Sequence, residues 1–146
     1  MKVKVELSEE YKTPYAVIYT DRITDEVQNA VDLIGRDSTP LTARREDRDR
    51  VVVLKPAEVY MVRIEGGETA VFTESERFIS RKRLYEIKEQ LGTRFIQISK
   101  CTLVNRDVLD SVEAGFNGTM VLKLKNGMSD YVTRRYLPEF KKYLGL

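Results

Sequence analysis

The chain has 146 residues, contains no histidine and has one cysteine, Cys101. This composition excludes Ser-His-Asp triads, His-ligated zinc, phosphohistidine relays, intrachain disulfides and multi-cysteine metal sites, and we expect no catalytic, cofactor-binding or metal-binding residues. The length allows one sizeable core, with about 70% of the extended chain's surface hidden on folding, but not two full-size domains. No apolar run is long enough to span a membrane and residues 1–20 lack a secretory apolar region, so the expected compartment is the cytoplasm.

Formal charge is unevenly distributed along the chain. Residues 1–90 carry a net charge of −2, whereas residues 91–146 carry nine Lys and Arg against five Asp and Glu, a net charge of +4. A basic part beside an acidic one favours a polyanionic partner, such as nucleic acid, for the basic part. The alternative is a basic face that is merely solvated.

Two strands are predicted near the N-terminus. Residues 2–7 alternate between charged and apolar side chains, and Tyr15–Thr20 is rich in aromatic and β-branched residues. The polar, charge-dense residues 36–50 form either a linker or a weak hairpin that turns near Glu46–Asp49. We therefore expect a small N-terminal α/β segment over residues 1–56.

The helix of this segment is predicted at about residues 22–34, with Thr20 or Asp21 as its cap and Gly35 as its C-terminal glycine. Two strands are too few to cover its apolar face. The helix should therefore pack on the rest of the chain or on a second copy, and we favour dimerisation. Its apolar positions are Ile23, Val27, Ala30, Val31 and Ile34.

From Arg50 onward the pattern predicts short antiparallel strands joined by tight turns. Gly66-Gly67 indicates a hairpin, because paired glycines accept positive φ, and Asn117-Gly118 and Asn126-Gly127 enclose one further strand. The predicted strand positions are Val51–Leu54, Glu58–Ile64, Thr69–Thr73, Phe95–Ile98, Thr119–Leu124 and Tyr131-Val132, and Leu103-Val104 and Val108-Leu109 are further apolar pairs.

Two helices are predicted within this β-rich part. The first is Ser80–Leu91, with Ser80 as its cap and Gly92 as its stop. Pro138 suits the first turn of a last helix. Many short strands with short helices indicate an α+β fold that is predominantly β. The inner face of the last helix is expected to consist of Phe140, Tyr143 and Leu144.

Two basic clusters lie at junctions between predicted elements, where binding residues are commonly displayed. One is Ser99-Lys100-Cys101-Thr102 and the other is Thr133-Arg134-Arg135. Arginine can hold a phosphate or a guanine edge with two hydrogen bonds, and hydroxyl groups can hold phosphate. On these grounds alone, each cluster is as compatible with surface charge as with binding, and Cys101 is interpreted as a packed thiol.

Three segments carry a resemblance to a known family. Phe95–Leu109 (FIQISKCTLVNRDVL) has an aromatic residue, a short hydrophobic strand, a basic residue, an apolar pair and Asn. Asn126-Gly127 is followed by Tyr131–Leu137 (YVTRRYL), and the hairpin Val59–Thr73 has glycine at its tip. In this order the segments resemble the LytTR DNA-binding domain family, and the resemblance begins at Ala57.

The resemblance implies a bacterial transcription regulator whose DNA-binding domain, residues 57–146, consists of short antiparallel sheets and small helices. It implies double-stranded DNA as the partner, with paired repeats bound by a homodimer and with loops, rather than a recognition helix, in successive major grooves. Most members carry a receiver domain, for which residues 1–56 are too few. The chain therefore resembles the stand-alone, response-regulator-like subgroup, which is often paired with a small inhibitory membrane protein.

Carried over by position, three loops would contact DNA. The first loop is Glu65–Glu68, the second loop is Ser99–Thr102 and the third loop is Thr133–Arg135. The resemblance implies that Lys100 and Arg134 contact bases. The full set of expected DNA contacts is Gly67, Glu68, Ser99, Lys100, Thr102, Thr133, Arg134 and Arg135.

The sequence departs from the family pattern at several loop positions. Glu65 and Glu68 stand where a basic or polar residue is expected, and Cys101 stands where Ser is usual. Thr133 replaces Ser and keeps the hydroxyl group. Asn105 matches the family's Asn, for which we expect a structural role in bonding the backbone of its own turn.

The favoured function is a sequence-specific transcription regulator that binds double-stranded DNA. The alternative is a β-rich protein-interaction module whose basic loops bind an acidic partner. An enzyme that uses carboxylates or lysine is disfavoured, because the chain has neither histidine nor a cofactor motif. Binding to duplex DNA with a steep dependence on salt would separate the first function from the other two.

Overall fold

In this computed structural model, tight turns whose residues have positive φ determine how neighbouring strands pair. Gly66 and Gly67 both have positive φ, 56° and 81°, as a two-residue type I′ hairpin requires. They join β3 (Met61–Glu65) to β4 (Glu68–Phe72), with Glu65 opposite Glu68. The hairpin predicted from the paired glycines is confirmed.

Ten strands in two antiparallel sheets form the β structure of the described residues. The other eight strands are β1 (Leu41–Arg44), β2 (Val51–Leu54), β5 (Arg77–Ser80), β6 (Phe95–Ser99), β7 (Thr102–Asn105), β8 (Leu109–Ala114), β9 (Met120–Leu124) and β10 (Ser129–Val132). The seven-stranded sheet has the order β2-β1-β5-β4-β3-β7-β6, and the three-stranded sheet has the order β10-β9-β8. The predicted α+β, predominantly β fold is confirmed.

Three α-helices accompany these strands: α1 (Asp25–Ile34), α2 (Leu84–Leu91) and α3 (Leu137–Leu144). Helix α2 begins later than predicted because Ser80 ends β5, and its first turn is capped by Arg83 N donating to Glu86 Oε2 at 2.9 Å. Gly92, with φ of 64°, ends the helix as predicted. No helix in the described part of the chain combines the length and apolar character needed to cross a bilayer.

Two clusters of buried side chains occupy the two faces of the seven-stranded sheet. Successive residues of a strand point to opposite faces, so Val62 packs with Ile87 of α2 while Met61 belongs to the other cluster. That second cluster includes Leu122 of the three-stranded sheet and Phe140 of α3. The large sheet therefore lies between α2 on one face and the small sheet with α3 on the other.

The chain divides into two units, Met1–Asp37 and Ser38–Leu146, and each is described by itself. The structure describes residues 1–34, 40–47 and 49–146. The division comes earlier than the boundary expected after residue 56. The physical reason is that β1 and β2 join the large sheet of the second unit.

Strands β1 and β2 form the hairpin that was one of two alternatives for residues 36–50. Leu41 pairs with Leu54 and Arg44 pairs with Val51, so the chain turns near the predicted position, although Arg48 lies outside the described residues. Arg44 also pairs with Ile79 of β5. This second pairing connects the hairpin to the rest of the sheet.

The N-terminal unit differs from the α/β segment expected from the sequence. Residues 1–34 contain no strand, so the strands predicted at residues 2–7 and 15–20 are not found there. A strand requires hydrogen bonds to a neighbouring segment, and alternation of side chains along one segment does not supply that neighbour.

The helix of the N-terminal unit is confirmed, with a different cap. It begins at Asp25, and Thr24 Oγ1 accepts a hydrogen bond from Val27 N at 3.3 Å. None of its residues is buried. The predicted C-terminal glycine, Gly35, lies outside the described residues.

Candidate nucleic-acid interface

Two backbone hydrogen bonds place the three loops side by side. Cys101 O in the second loop accepts from Ile64 N, the residue before the first loop, at 2.9 Å. Ile98 O, just before the second loop, accepts from Thr133 N of the third loop at 2.9 Å. Because bonds of this length require adjacent segments, the second loop lies between the first and the third.

The second loop is the tight connection between β6 and β7. Its backbone is braced by Ser99 Oγ, which accepts from Cys101 N at 3.2 Å. Lys100 is exposed, and among the described residues its ammonium group has no hydrogen-bond or ion-pair partner. Cys101 is also exposed, so the prediction of a packed thiol is wrong, because the residue stands at the outward tip of the connection.

Thr102 differs from the exposed DNA contact that the resemblance implies. It is 2% exposed, and its hydroxyl donates to Asp130 Oδ2 of β10 at 3.1 Å. Arg63 Nη1 lies 3.3 Å from the same carboxylate oxygen. Burial and this hydrogen bond commit Thr102 to linking the two sheets, which removes it from the exposed surface of the loop.

The third loop connects β10 to α3. The carbonyl of Thr133 accepts from Tyr136 N and Leu137 N at 3.0 and 3.1 Å, which starts the helix. Arg134 is exposed, and its Nε donates to Asn117 O at 2.6 Å. Arg135 is also exposed, with its guanidinium carbon 5.9 Å from the centre of the Tyr136 ring.

The first loop presents a carboxylate rather than a cation. Glu65 is held by Arg63 Nη2 at 3.1 Å and by Arg77 Nε at 3.3 Å. Gly67 and Glu68 are exposed at the turn. The carboxylate of the exposed Glu68 repels phosphate, but it can accept a hydrogen bond from the amino group of cytosine.

Asn105 lies behind the loops at the end of β7. It is 1% exposed, and its Nδ2 donates to Val59 O at 2.9 Å. Its Oδ1 accepts from Asp107 N at 3.0 Å, within its own turn. These contacts bind two backbone segments and leave the side chain no exposed polar atom to offer a ligand.

Charge differs between the two units of the chain. The unit Ser38–Leu146, which carries all three loops, has 20 Lys and Arg against 15 Asp and Glu, a net charge of +5. The unit Met1–Asp37 has five against eight, a net charge of −3. Over the described ranges, no cluster of acidic or cysteine side chains could hold a metal ion.

Two contacts at this site lie outside what sequence reasoning predicted. These are the ion pair of Arg63 with Asp130 and the hydrogen bond from Arg134 to Asn117. The Asn117-Gly118 turn was predicted, but nothing in the local sequence indicates which distant side chain it meets. The first contact connects β3 to β10 of the three-stranded sheet, and the second connects the third loop to the turn between β8 and β9.

Comparison with known proteins identifies a matching family and relatives of the chain. The family described as LytTr DNA-binding domain matches residues 49–145. The sensory transduction protein LytT of Enterococcus faecalis is 26% identical over 86% of this chain, and the aligned region covers 56% of that protein. A Staphylococcus aureus protein described as an HTH-type transcriptional regulator is 24% identical over 100% of this chain and 99% of its own length.

A solved structure has the same fold as the β-rich part. It is the LytTr DNA-binding domain of a Bacillus cereus protein described as a methyl-accepting/DNA response regulator. The TM-score is 0.68 at 21% sequence identity, and the match covers 73% of this chain and 97% of that one. At this identity the similarity concerns the fold.

Proposed function

The chain belongs to the LytTr DNA-binding domain family, and from that membership we propose that it is a sequence-specific transcription regulator that binds the major groove of double-stranded DNA with its loops. The observation that carries the proposal is the row of three adjacent loops on a unit with a net charge of +5. Three cationic side chains in that row, Lys100, Arg134 and Arg135, are exposed.

The loops suit this role better than the helices do. In chain order, strands separate α1, α2 and α3 within the described residues, so no two of these helices form a helix-turn-helix unit. We assign base contacts to Lys100 and Arg134, and phosphate contacts to Ser99, Thr133 and Arg135, because Arg and Lys suit guanine edges and hydroxyl groups suit phosphate.

The second candidate function is a module whose basic loops bind an acidic protein. The exposed cations would serve it as well as they serve DNA. Release of counterions from DNA makes the logarithm of the binding constant fall linearly with the logarithm of salt concentration, with a slope near the number of phosphates contacted. Absence of salt-dependent retention on duplex DNA would favour the protein-binding alternative.

The single cysteine provides a direct test of the proposed surface. Cys101 is exposed in the second loop, beside Lys100. We expect a duplex selected by the wild-type chain from a random-sequence library to slow the alkylation of Cys101 by N-ethylmaleimide in proportion to the bound fraction, because DNA would cover the thiol. Mass spectrometry of the intact chain measures the rate.

The control repeats the reaction at a salt concentration that releases the duplex, where the rate of the free chain should return. The chain already alkylated at Cys101 should no longer bind the duplex. An alkylation rate unchanged at saturating duplex contradicts the placement of the second loop on DNA.

Thr102 and Lys100 lie in one loop, but their substitution should have opposite effects on stability and on DNA affinity. Thr102→Val removes the hydrogen bond to Asp130, so we expect the free energy of unfolding to fall by about 1 kcal/mol, with unchanged affinity for the selected duplex. Lys100→Ala should leave stability within about 0.5 kcal/mol and weaken DNA binding. Urea denaturation and binding titrations measure the two effects, and a loss of DNA affinity in folded Thr102→Val contradicts the buried role.

We also propose that the chain forms a homodimer through residues 1–34 and binds paired repeats in that form. The apolar side chains of this part are largely uncovered, which is unusual for a surface without a partner. The residues more than half exposed are Met1, Val3, Val5, Leu7, Tyr11, Tyr15, Val17, Tyr19, Ile23, Leu33 and Ile34. Extended segments with alternating side chains can pair with a second copy.

Sedimentation of the full chain tests the dimer. We expect a dimer mass at about 20–50 μM, within the range of moderate affinities, and a monomer mass for Val5→Asp. Val53→Asp is the control: Val53 is also exposed but lies in β2, outside residues 1–34, so this variant should stay dimeric. A monomer mass for the wild-type chain contradicts the proposal.

The membrane-protein partner implied by the resemblance stays a prediction, because no contact of the described residues tests it.

A further inference from the structure

The turn between β8 and β9 is held in one conformation by its own hydrogen bonds. Gly115 N donates to Thr119 O at 2.9 Å, and Thr119 Oγ1 donates to Phe116 O at 2.6 Å. Asn117 (φ 53°) and Gly118 (φ 73°) both lie in the left-handed region, which Asn and Gly adopt more readily than other residues. The turn therefore fixes the direction of the Asn117 carbonyl.

This carbonyl is directed at the third loop. Arg134 Nε donates to Asn117 O at 2.6 Å, across 17 positions of sequence. A Cβ added at Gly118 would lie 3.5 Å from the same nitrogen. The turn thus lies against the Nε edge of the guanidinium, while the Arg134 side chain as a whole stays exposed.

The contact determines which donors of Arg134 remain for a ligand. A guanidinium carries five N–H donors in a rigid planar fork. With Nε occupied, the two terminal nitrogens remain, and these can meet the O6 and N7 acceptors of guanine together. Resting on the proposed function, we infer that the β8–β9 turn is a positioning element that orients the Arg134 fork toward one guanine of the target duplex.

A tethered arginine also loses less freedom on binding than an untethered one. Long side chains sample many rotamers in solvent and lose that freedom when they contact a partner. The Asn117 carbonyl restricts Arg134 before DNA arrives and defines the plane of its fork. The turn therefore acts on discrimination between bases, whereas the general attraction of phosphates depends on charge.

Two glycine substitutions in the three-stranded sheet make a matched test. Gly118→Ala disturbs the turn that holds Arg134. Gly127→Ala introduces a similar strain, at φ of 88° in the turn between β9 and β10, with nothing within 4 Å of the added methyl group. That turn lies at the other end of β9. We expect both variants to lose similar thermal stability.

The DNA probe is a duplex that the wild-type chain selects from a random-sequence library, together with all of its single-base variants. We expect Gly118→Ala to lose at least about fivefold discrimination at one guanine, the lower end of what a bidentate contact contributes. Arg134→Ala should lose discrimination at the same position, and Gly127→Ala should keep it. In the Arg134→Ala background, Gly118→Ala should reduce discrimination no further.

The outcomes separate this inference from the proposed function. Full discrimination in Gly118→Ala, beside its loss in Arg134→Ala, overturns the positioning role and leaves the proposed function standing. Unchanged discrimination in Arg134→Ala overturns the assignment of Arg134 to a base and the positioning role with it. If the wild-type chain selects no sequence, the proposed function itself is wrong.

A second measurement reports on the contact without DNA. In the chain labelled with ¹⁵N-arginine, the Nε–H resonance of Arg134 is identified by its absence in Arg134→Ala. We expect this proton to exchange slowly with solvent in the wild-type chain and in Gly127→Ala, because it is hydrogen-bonded, and faster in Gly118→Ala. Equal exchange in the wild-type chain and Gly118→Ala overturns the inference even if the substitution also lowers stability.

Discussion

Replacing Arg134 with alanine is expected to weaken binding to the selected duplex by about 1–3 kcal/mol and to remove the preference at one base pair. The side chain is exposed in the middle of the third loop, and the bond from Nε to Asn117 O leaves its two terminal nitrogens as the donors for a ligand. Binding titrations against the selected duplex and its single-base variants measure both effects.

Lys142→Ala is the matched control. Lys142 is also a cation of the same unit and is exposed in the last turn of α3. Its removal should weaken binding slightly and to the same extent for every sequence, because a lone charge away from the bases contributes only attraction to phosphate. If Arg134→Ala and Lys142→Ala affected the selected duplex and random DNA alike, Arg134 would not contact a base.

Hairpins could be predicted from the sequence because the information that defines them is local. Gly66-Gly67, Asn117-Gly118 and Asn126-Gly127 each supply residues that accept positive φ. The strand between the last two turns, β9, runs from Met120 to Leu124, close to the predicted 119–124. In each case, a dipeptide and the few residues on each side of it were enough to predict the turn.

Pairing between distant segments could not be predicted in this way. Strand β5 was missed, because Ser80 resembles a helix cap and the strand is stabilised by β4 and β1 on either side. Residues 2–7 show the opposite case. They alternate as a strand does, yet no strand is present in residues 1–34. Alternation describes which faces side chains would occupy, whereas a strand needs a neighbour.

The candidate site likewise combines features that local sequence predicts with features that depend on contacts between distant segments. The exposed positions of Lys100 and Arg134 follow from their places at the ends of strands. The burial of Thr102 depends on Asp130, 28 positions away, and the contact between Arg134 and Asn117 spans 17 positions. Sequence reasoning from residue type therefore indicated which side chains could bind DNA, but it could not indicate which of them the fold uses internally.

Phe140→Ala is expected to lower the free energy of unfolding by about 3–5 kcal/mol. The ring is fully buried in the cluster between the large sheet, the small sheet and α3, so its removal leaves a cavity as well as lost apolar contact. Against a total stability of about 5–15 kcal/mol for a domain, this is a large loss. Urea denaturation followed by circular dichroism measures it.

Tyr143→Ala, in the same helix, separates loss of the core from loss of an aromatic ring. Tyr143 is 44% exposed and contacts Arg106, whose guanidinium carbon lies 5.6 Å from the ring centre, so we expect its loss to lower stability by about 1 kcal/mol or less. Equal losses of unfolding free energy in Phe140→Ala and Tyr143→Ala would contradict the assignment of Phe140 to the core. Because α3 starts on the Thr133 carbonyl, directly beside Arg134, Phe140→Ala should also weaken DNA binding under conditions where most of the chain remains folded, whereas Tyr143→Ala should not.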